Sequence, residues 1–196
     1  MKKAQATRLN ILQKAFELIY VRGYQTTSID DILATTDVTK GAFYYHFKNK
    51  DEMGVAIINE LLVPSFENIF IRPVQSKGRP AQVIYDMMYN ILMENDFLKV
   101  EYGCPAANLT FEMAPWNSDF TRALNSLSNR WKNAIIQCIN NGKEEGMVRH
   151  DVSSEGVATF VMSGYWGIRN MGKLVNSKSV YITYLEQLKA FLDGLE

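Results

Sequence analysis

The chain holds 196 residues, 47% of them apolar and 21% charged, a mix that excludes a disordered, collagen-like or purely coiled-coil protein and suits one domain or two small ones sharing a core. Its 21 basic and 21 acidic residues cancel, but unevenly: residues 1–50, Lys2 included, carry eight Lys/Arg against four acids (+4), and the other 146 carry 13 against 17 (−4). A small basic head on an acidic body is the charge pattern of a nucleic-acid-binding module on a carrier.

All five prolines lie between Pro64 and Pro115, which leaves proline-free stretches of 63 and 81 residues for long helices. Hairpin signals are absent apart from Asn141-Gly142 and Asp193-Gly194, which follow helical patterns and read as C-caps. The expectation is an all-α fold of about nine helices. The first runs from about Gln5 to Arg22, with Ile11, Leu12, Ala15, Phe16, Leu18 and Ile19 at helical spacing and Gly23 placed to end it. A short helix follows over Ser28 to Thr35, capped by Thr27 or Ser28, each with an acid three residues on. After the turn Thr36-Asp37-Val38, Thr39 caps a third helix to Phe47, and a fourth spans about Asp51 to Phe70. Further helices are expected from Pro80 to about Lys99, from about Phe120 to Asn141-Gly142, from Ser153 or Ser154 to about Val175, and over Tyr181 to Leu195, with a broken segment at Gly103 to Pro115.

Ser28 to Phe47 therefore has the layout of a helix-turn-helix, whose second helix enters the major groove. Phe43 and Phe47, four apart, share the face that docks on the first two helices, and Gly41, Tyr44 and Tyr45 project to the other side. A glycine in a helix costs about 1 kcal/mol relative to alanine unless something must approach the backbone, and DNA is such a thing. Thr39 and Lys40 can reach bases or phosphates, Tyr45, His46 and Lys50 offer phosphate donors, and Tyr44 can stack on a thymine methyl or a sugar.

The run from Thr26 to Leu33, followed by Val38 to Asp51, resembles the DNA-binding head of the TetR family over about residues 8–60. The resemblance implies a dimeric, all-α transcriptional regulator, usually a repressor, with a DNA-binding domain over 1–50 and a ligand-binding and dimerisation domain over 51–196. By position, the DNA contacts it implies are Thr27, Thr39, Lys40, Gly41, Tyr44, Tyr45, His46 and Lys50. Asp37 departs from the family, which most often has Gly in that turn. Asp tolerates the left-handed conformation but sets an acid near the phosphates.

The body is rich in methionine and aromatic residues, which suit a core and equally a pocket for an apolar ligand. Candidate pocket residues are Met88, Cys104, Asn108, Phe111, Glu112, Trp116, Trp131, Met162, Tyr165 and Trp166, with Arg169 or Asn170 as further polar anchors. The helix around Val157 to Met171 is apolar nearly all round. Paired with the last helix it suggests a two-fold four-helix interface built from Val161, Gly164, Ile168, Tyr184, Leu188, Phe191 and Leu192. Gly103-Cys104-Pro105 resembles a segment of a TetR subgroup that senses electrophiles through its cysteine, although no basic residue stands beside Cys104 in sequence.

Cys104 and Cys138 form no Cys-x-x-Cys or Cys/His cluster, so neither a metal nor a cofactor is expected. The stretch Val55 to Phe70 is interrupted by Asn59, Glu60, Pro64 and Ser65, and MKKAQATRLN lacks an apolar run and a cleavage site, so neither a membrane partner nor export is expected and a cytoplasmic location is. The function expected is a homodimer that binds palindromic double-stranded operator DNA at half-sites about 34–36 Å apart and is released by a small-molecule effector, with coupling through the fourth helix. Covalent sensing through Cys104 is one alternative. A helical carrier or enzyme is another, for which no nucleophile–base pair, phosphate loop or carboxylate cluster is present.

Overall fold

A computed structural model describes residues 3–196; Lys2 lies outside the described residues. Nine helices follow one another among them: α1 (Lys3–Arg22), α2 (Ile29–Leu33), α3 (Lys40–His46), α4 (Lys50–Val74), α5 (residues 80–94), α6 (Pro105–Met113), α7 (Ser118–Glu144), α8 (Ser154–Val175) and α9 (Ser179–Asp193). There is no strand in the described residues.

Side chains that accept backbone N–H groups set four of the helix starts. Ser28 caps α2 in a reciprocal box with Asp31, Thr39 accepts the Ala42 N–H at the start of α3, Asn49 accepts the Glu52 N–H at α4, and Ser153 accepts the Gly156 N–H at α8. Gly23 ends α1 at φ +98°, which its lack of a Cβ permits. Pro64 cannot donate within α4, and instead of ending there the helix loosens into π turns at Ile58–Leu62 and Glu67–Ile71.

Three boundaries differ from those expected. The fifth helix stops at residue 94 rather than Lys99, because the Asn95 side chain accepts the Phe97 and Leu98 N–H groups, each at 3.0 Å, and turns the chain. Asn141-Gly142 is not a C-cap: α7 runs through it to Glu144, and a Cβ on Gly142 would strike Pro80 and come within 2.9 Å of Val148, so the glycine serves a close approach. The segment expected to be broken contains α6.

The described chain forms two compact units, one of the residues up to Pro64 with Pro105–Asn125, the other of Ser65–Cys104 with Ser126–Glu196. The boundary expected at residue 50 falls inside the first unit. Its core combines Ile11, Leu12, Ala15, Ile32, Phe43 and Phe47 with Met53, Ile57, Leu109 and Phe120. Tyr24 meets the Phe120 ring edge-on at 5.1 Å, and Gly54 leaves the space both rings occupy. The head thus borrows the start of α4, α6 and the start of α7 to close its apolar interior.

In the second unit the α9 stripe Tyr181, Leu185, Leu188 and Leu192 is buried where α9 meets α5 and α8. By length and composition α4 could cross a membrane, its most apolar 18-residue window having a mean hydropathy of 1.4. Its buried residues Met53, Ile57, Ile58, Leu62, Phe66, Phe70 and Val74 form a stripe that serves the two cores.

Candidate nucleic-acid interface and ligand core

The exposed face of α3 follows from the packing of its other face. Phe43 and Phe47 are buried with ring centroids 5.6 Å apart, so a helix of seven residues must turn Thr39, Lys40, Gly41, Tyr44 and Tyr45 outward, and all five are exposed. Tyr45 is 78% exposed although it is a large aromatic residue. His46, half-buried, meets the Tyr45 ring at 5.0 Å. A Cβ at Gly41 would find nothing within 4 Å, so packing gives no reason for glycine there. Lys40 Nζ lies 2.9 Å from Asp30 Oδ1 of α2, and that hydrogen bond raises the lysine pKa above its usual value.

Two of the expected DNA contacts are placed otherwise. Thr27 is 1% exposed, and its hydroxyl donates to the Gly23 carbonyl at 2.7 Å. Lys50 turns inward: its ammonium donates to the Tyr24 and Thr27 carbonyls at 3.0 Å each and sits 4.4 Å from the centre of the Tyr24 ring. Burial lowers the Lys50 pKa, opposed by Asp51 and Glu112. Around it, Tyr24 donates its hydroxyl to Asp51 at 2.6 Å, Asn117 donates to the other Asp51 oxygen at 3.0 Å, and Glu112 accepts the Gln25 N–H at 2.9 Å. Burial first, then Asp51, holds the Tyr24 phenol far above its usual pKa, so it stays a donor. These contacts fix the loop from α1 to α2, and Lys50 is a positioning residue of that loop. Tyr24 and Asn117 carry no motif signal; Asp30 and Asp51 lie within the run that resembles the TetR head, but their contacts with Lys40 and Tyr24 come from proximity in space.

The pocket candidates divide between the two units. Asn108, Phe111, Glu112 and Trp116 belong to the first, where Phe111 and Trp116 are 71% and 80% exposed. Asn108 and Glu112 border a cleft of about 10 Å³ beside Phe16, Ile19 and Tyr20, space for about one water. Met88, Cys104, Trp131, Met162 and Tyr165 are buried in the second unit, and Trp166 is partly exposed. Trp131 and Tyr165 meet Phe70 at 4.7 and 5.1 Å, and Phe70 stacks on Phe66 at 4.4 Å. Sequence reasoning misses the two phenylalanines because their i, i+4 spacing on α4 does not distinguish a ligand cage from a core. Trp131 Nε1 is buried and has no hydrogen-bond partner among the described residues. Two open grooves, about 420 and 500 Å³, flank residues 75–79; neither is lined by Met88, Cys104, Trp131, Met162 or Tyr165. Arg169, expected as a ligand anchor, is engaged internally, donating to the Tyr181 hydroxyl at 3.1 Å and to the Lys99 and Gly103 carbonyls.

The interface candidates are likewise redistributed. Val161, Ile168, Leu188 and Leu192 are buried within the chain, because α5 and α8 already cover the α9 stripe. Gly164 accommodates the Tyr184 ring, whose phenol burial pushes up to about 12, and Phe191 lies 4.1 Å from the Phe160 ring. Phe160, Met171 and Leu174 remain exposed.

An α3 presenting polar and aromatic residues around a bare glycine, held on a three-helix head, defines a helix-turn-helix DNA-binding protein. Residues 11–57 match the family model for bacterial regulatory proteins of the tetR family, and residues 84–188 match that for the tetracyclin repressor-like C-terminal domain. The chain is 34% identical over 122 residues, 62% of either chain, to an uncharacterized HTH-type transcriptional regulator in the lacX 3' region of Lactococcus lactis. It is 24% identical over 160 residues, 82% of this chain and 79% of the relative, to the HTH-type transcriptional repressor DhaR of a Mycobacterium species. The crystal structure of a TetR-family regulator from Cytophaga hutchinsonii superposes with a TM-score of 0.87 at 22% identity, covering 100% of this chain and 98% of that one, a likeness of fold. The chain belongs to the TetR family and is a ligand-responsive, DNA-binding transcriptional regulator, not an enzyme.

Gly41 and Lys50 should respond oppositely to substitution. Gly41→Ala, at the second residue of α3, should stabilise the protein by at most about 0.5 kcal/mol and weaken DNA binding about tenfold. Lys50→Met should cost about 1 kcal/mol by removing the donor to the Thr27 carbonyl and one of the two donors to the Tyr24 carbonyl. Urea denaturation beside fluorescence anisotropy on duplex DNA checks both, and a Gly41→Ala protein with unaltered affinity would remove DNA approach as the reason for the glycine.

Proposed function

We propose that the chain is a homodimeric repressor. Two copies present α3 to successive major grooves of a palindromic operator, and a small apolar or aromatic molecule taken up by the second unit releases them. Gly41 carries the DNA-contact part of this reading: its missing Cβ serves nothing inside the protein, so the close approach it permits belongs to a partner. Thr39, Lys40, Tyr44, Tyr45 and His46 surround it with donors and stacking surface. The name of DhaR as a repressor supports that direction of control. Acting on operator DNA, the protein works in the cytoplasm.

The effector reading rests on Phe66, Phe70, Trp131 and Tyr165, an aromatic cluster whose Trp131 Nε1 has no acceptor among the described residues and can serve one on a ligand. The dimer reading rests on the exposed side of α8, where Phe160, Gly167, Met171 and Leu174 recur at helical spacing and a Cβ on Gly167 would meet nothing. Met171→Glu should yield folded monomers with reduced operator affinity. Light scattering that still shows dimers would put the interface elsewhere.

Reversible binding is favoured over covalent sensing because Cys104 is 2% exposed. Burial raises the Cys138 thiol pKa to about 11, so its thiolate is scarce at neutral pH and grows about tenfold per unit only as pH climbs toward 11. N-ethylmaleimide at pH 7.5 should therefore label both cysteines slowly and leave DNA binding intact. Fast labelling of Cys104 with loss of binding would replace the reversible reading by the covalent one.

A further inference from the structure

The pairing of Lys40 with Asp30 bears on how the head discriminates between DNA sequences. Lys40 is the first residue of α3, where the helix dipole disfavours a cation, and the first turn of α3 has no acid of its own. Its place there does not serve helix stability. The compensating carboxylate comes from α2: Asp30 lies 2.9 Å away, and both side chains are more than half exposed. Asp31 beside it is occupied by the Ser28 capping box, a role Asp30 does not share. Asp30 is therefore free to act on Lys40, and it stands on the helix that crosses the phosphate backbone in a helix-turn-helix complex.

We propose that Asp30 is a specificity-determining residue: it holds the Lys40 ammonium away from phosphates and directs it at a base edge. The proposal rests on α3 being the DNA-contacting helix. An ammonium has three N–H donors, so Lys40 can keep one on Asp30 and offer another to a guanine O6 or N7 in the major groove. On arbitrary DNA, where binding comes almost wholly from phosphate neutralisation, a tethered Lys40 releases no counterion. Asp30 thereby lowers background affinity while the base contact keeps the specific complex.

The test uses the full-length protein, a random-sequence duplex, and a duplex enriched by the wild-type protein from a random library. Asp30→Asn should bind the random duplex several-fold more tightly, with a salt slope steeper by about 0.9, the value of one added phosphate contact. Its preference for the enriched duplex should fall about tenfold. In a Lys40→Ala background, Asp30→Asn should change neither slope nor preference. An unchanged slope in Asp30→Asn, or the same gain with Lys40 absent, overturns the proposal, the latter by showing a general charge effect. Failure of the wild-type protein to enrich any duplex would instead overturn the DNA-contact reading of α3 itself, and this proposal with it.

Discussion

The Lys50 ammonium ties the head together. It spans the Tyr24 and Thr27 carbonyls, two acceptors in a loop that no helix hydrogen bond satisfies, and it lies over the Tyr24 ring. The Tyr24 carbonyl also accepts the Thr27 N–H at 3.3 Å, so the lysine adds a second donor there and supplies a side-chain donor to the Thr27 carbonyl, which steadies the course of the loop. Once the loop is set, Ser28 can cap α2, α2 can hold Asp30 beside Lys40, and Thr39 can start α3 with its aromatic face inward. The exposed face of α3 thus depends on a cation that is turned toward the loop carbonyls behind it.

The same constraint explains why the first compact unit is larger than a three-helix head. Asp51 accepts from Tyr24 and from Asn117, and Glu112 accepts the Gln25 N–H, so residues far along the chain complete the polar shell of the α1–α2 loop while Leu109 and Phe120 complete the core. Both α4 and α7 begin in the first unit and end in the second.

Local pattern makes most of this fold legible in the sequence. The Phe43/Phe47 spacing, the Ser28 and Thr39 caps and Gly23 act over a few residues, and they predict the head and the outward face of α3. What depends on distant partners is not legible there. Lys50 reads as a phosphate donor until Tyr24 and Thr27 are brought to it, and the α9 stripe of Leu188 and Leu192 reads as an interface until α5 covers it. Trp116 and Phe111, bulky and apolar, read as pocket lining yet face solvent, because an amphipathic pattern does not say which large side chain finds a neighbour.

The central claim is that the face of α3 around Gly41 meets DNA while Lys50 and Thr27 hold the fold behind it. Amide hydrogen exchange of the full-length protein, free and saturated with an enriched duplex, tests it most directly. The account predicts slowed exchange concentrated in residues 37–46, with the second unit little changed. Protection centred elsewhere, with the amides of α3 exchanging as fast as in the free protein, would contradict it.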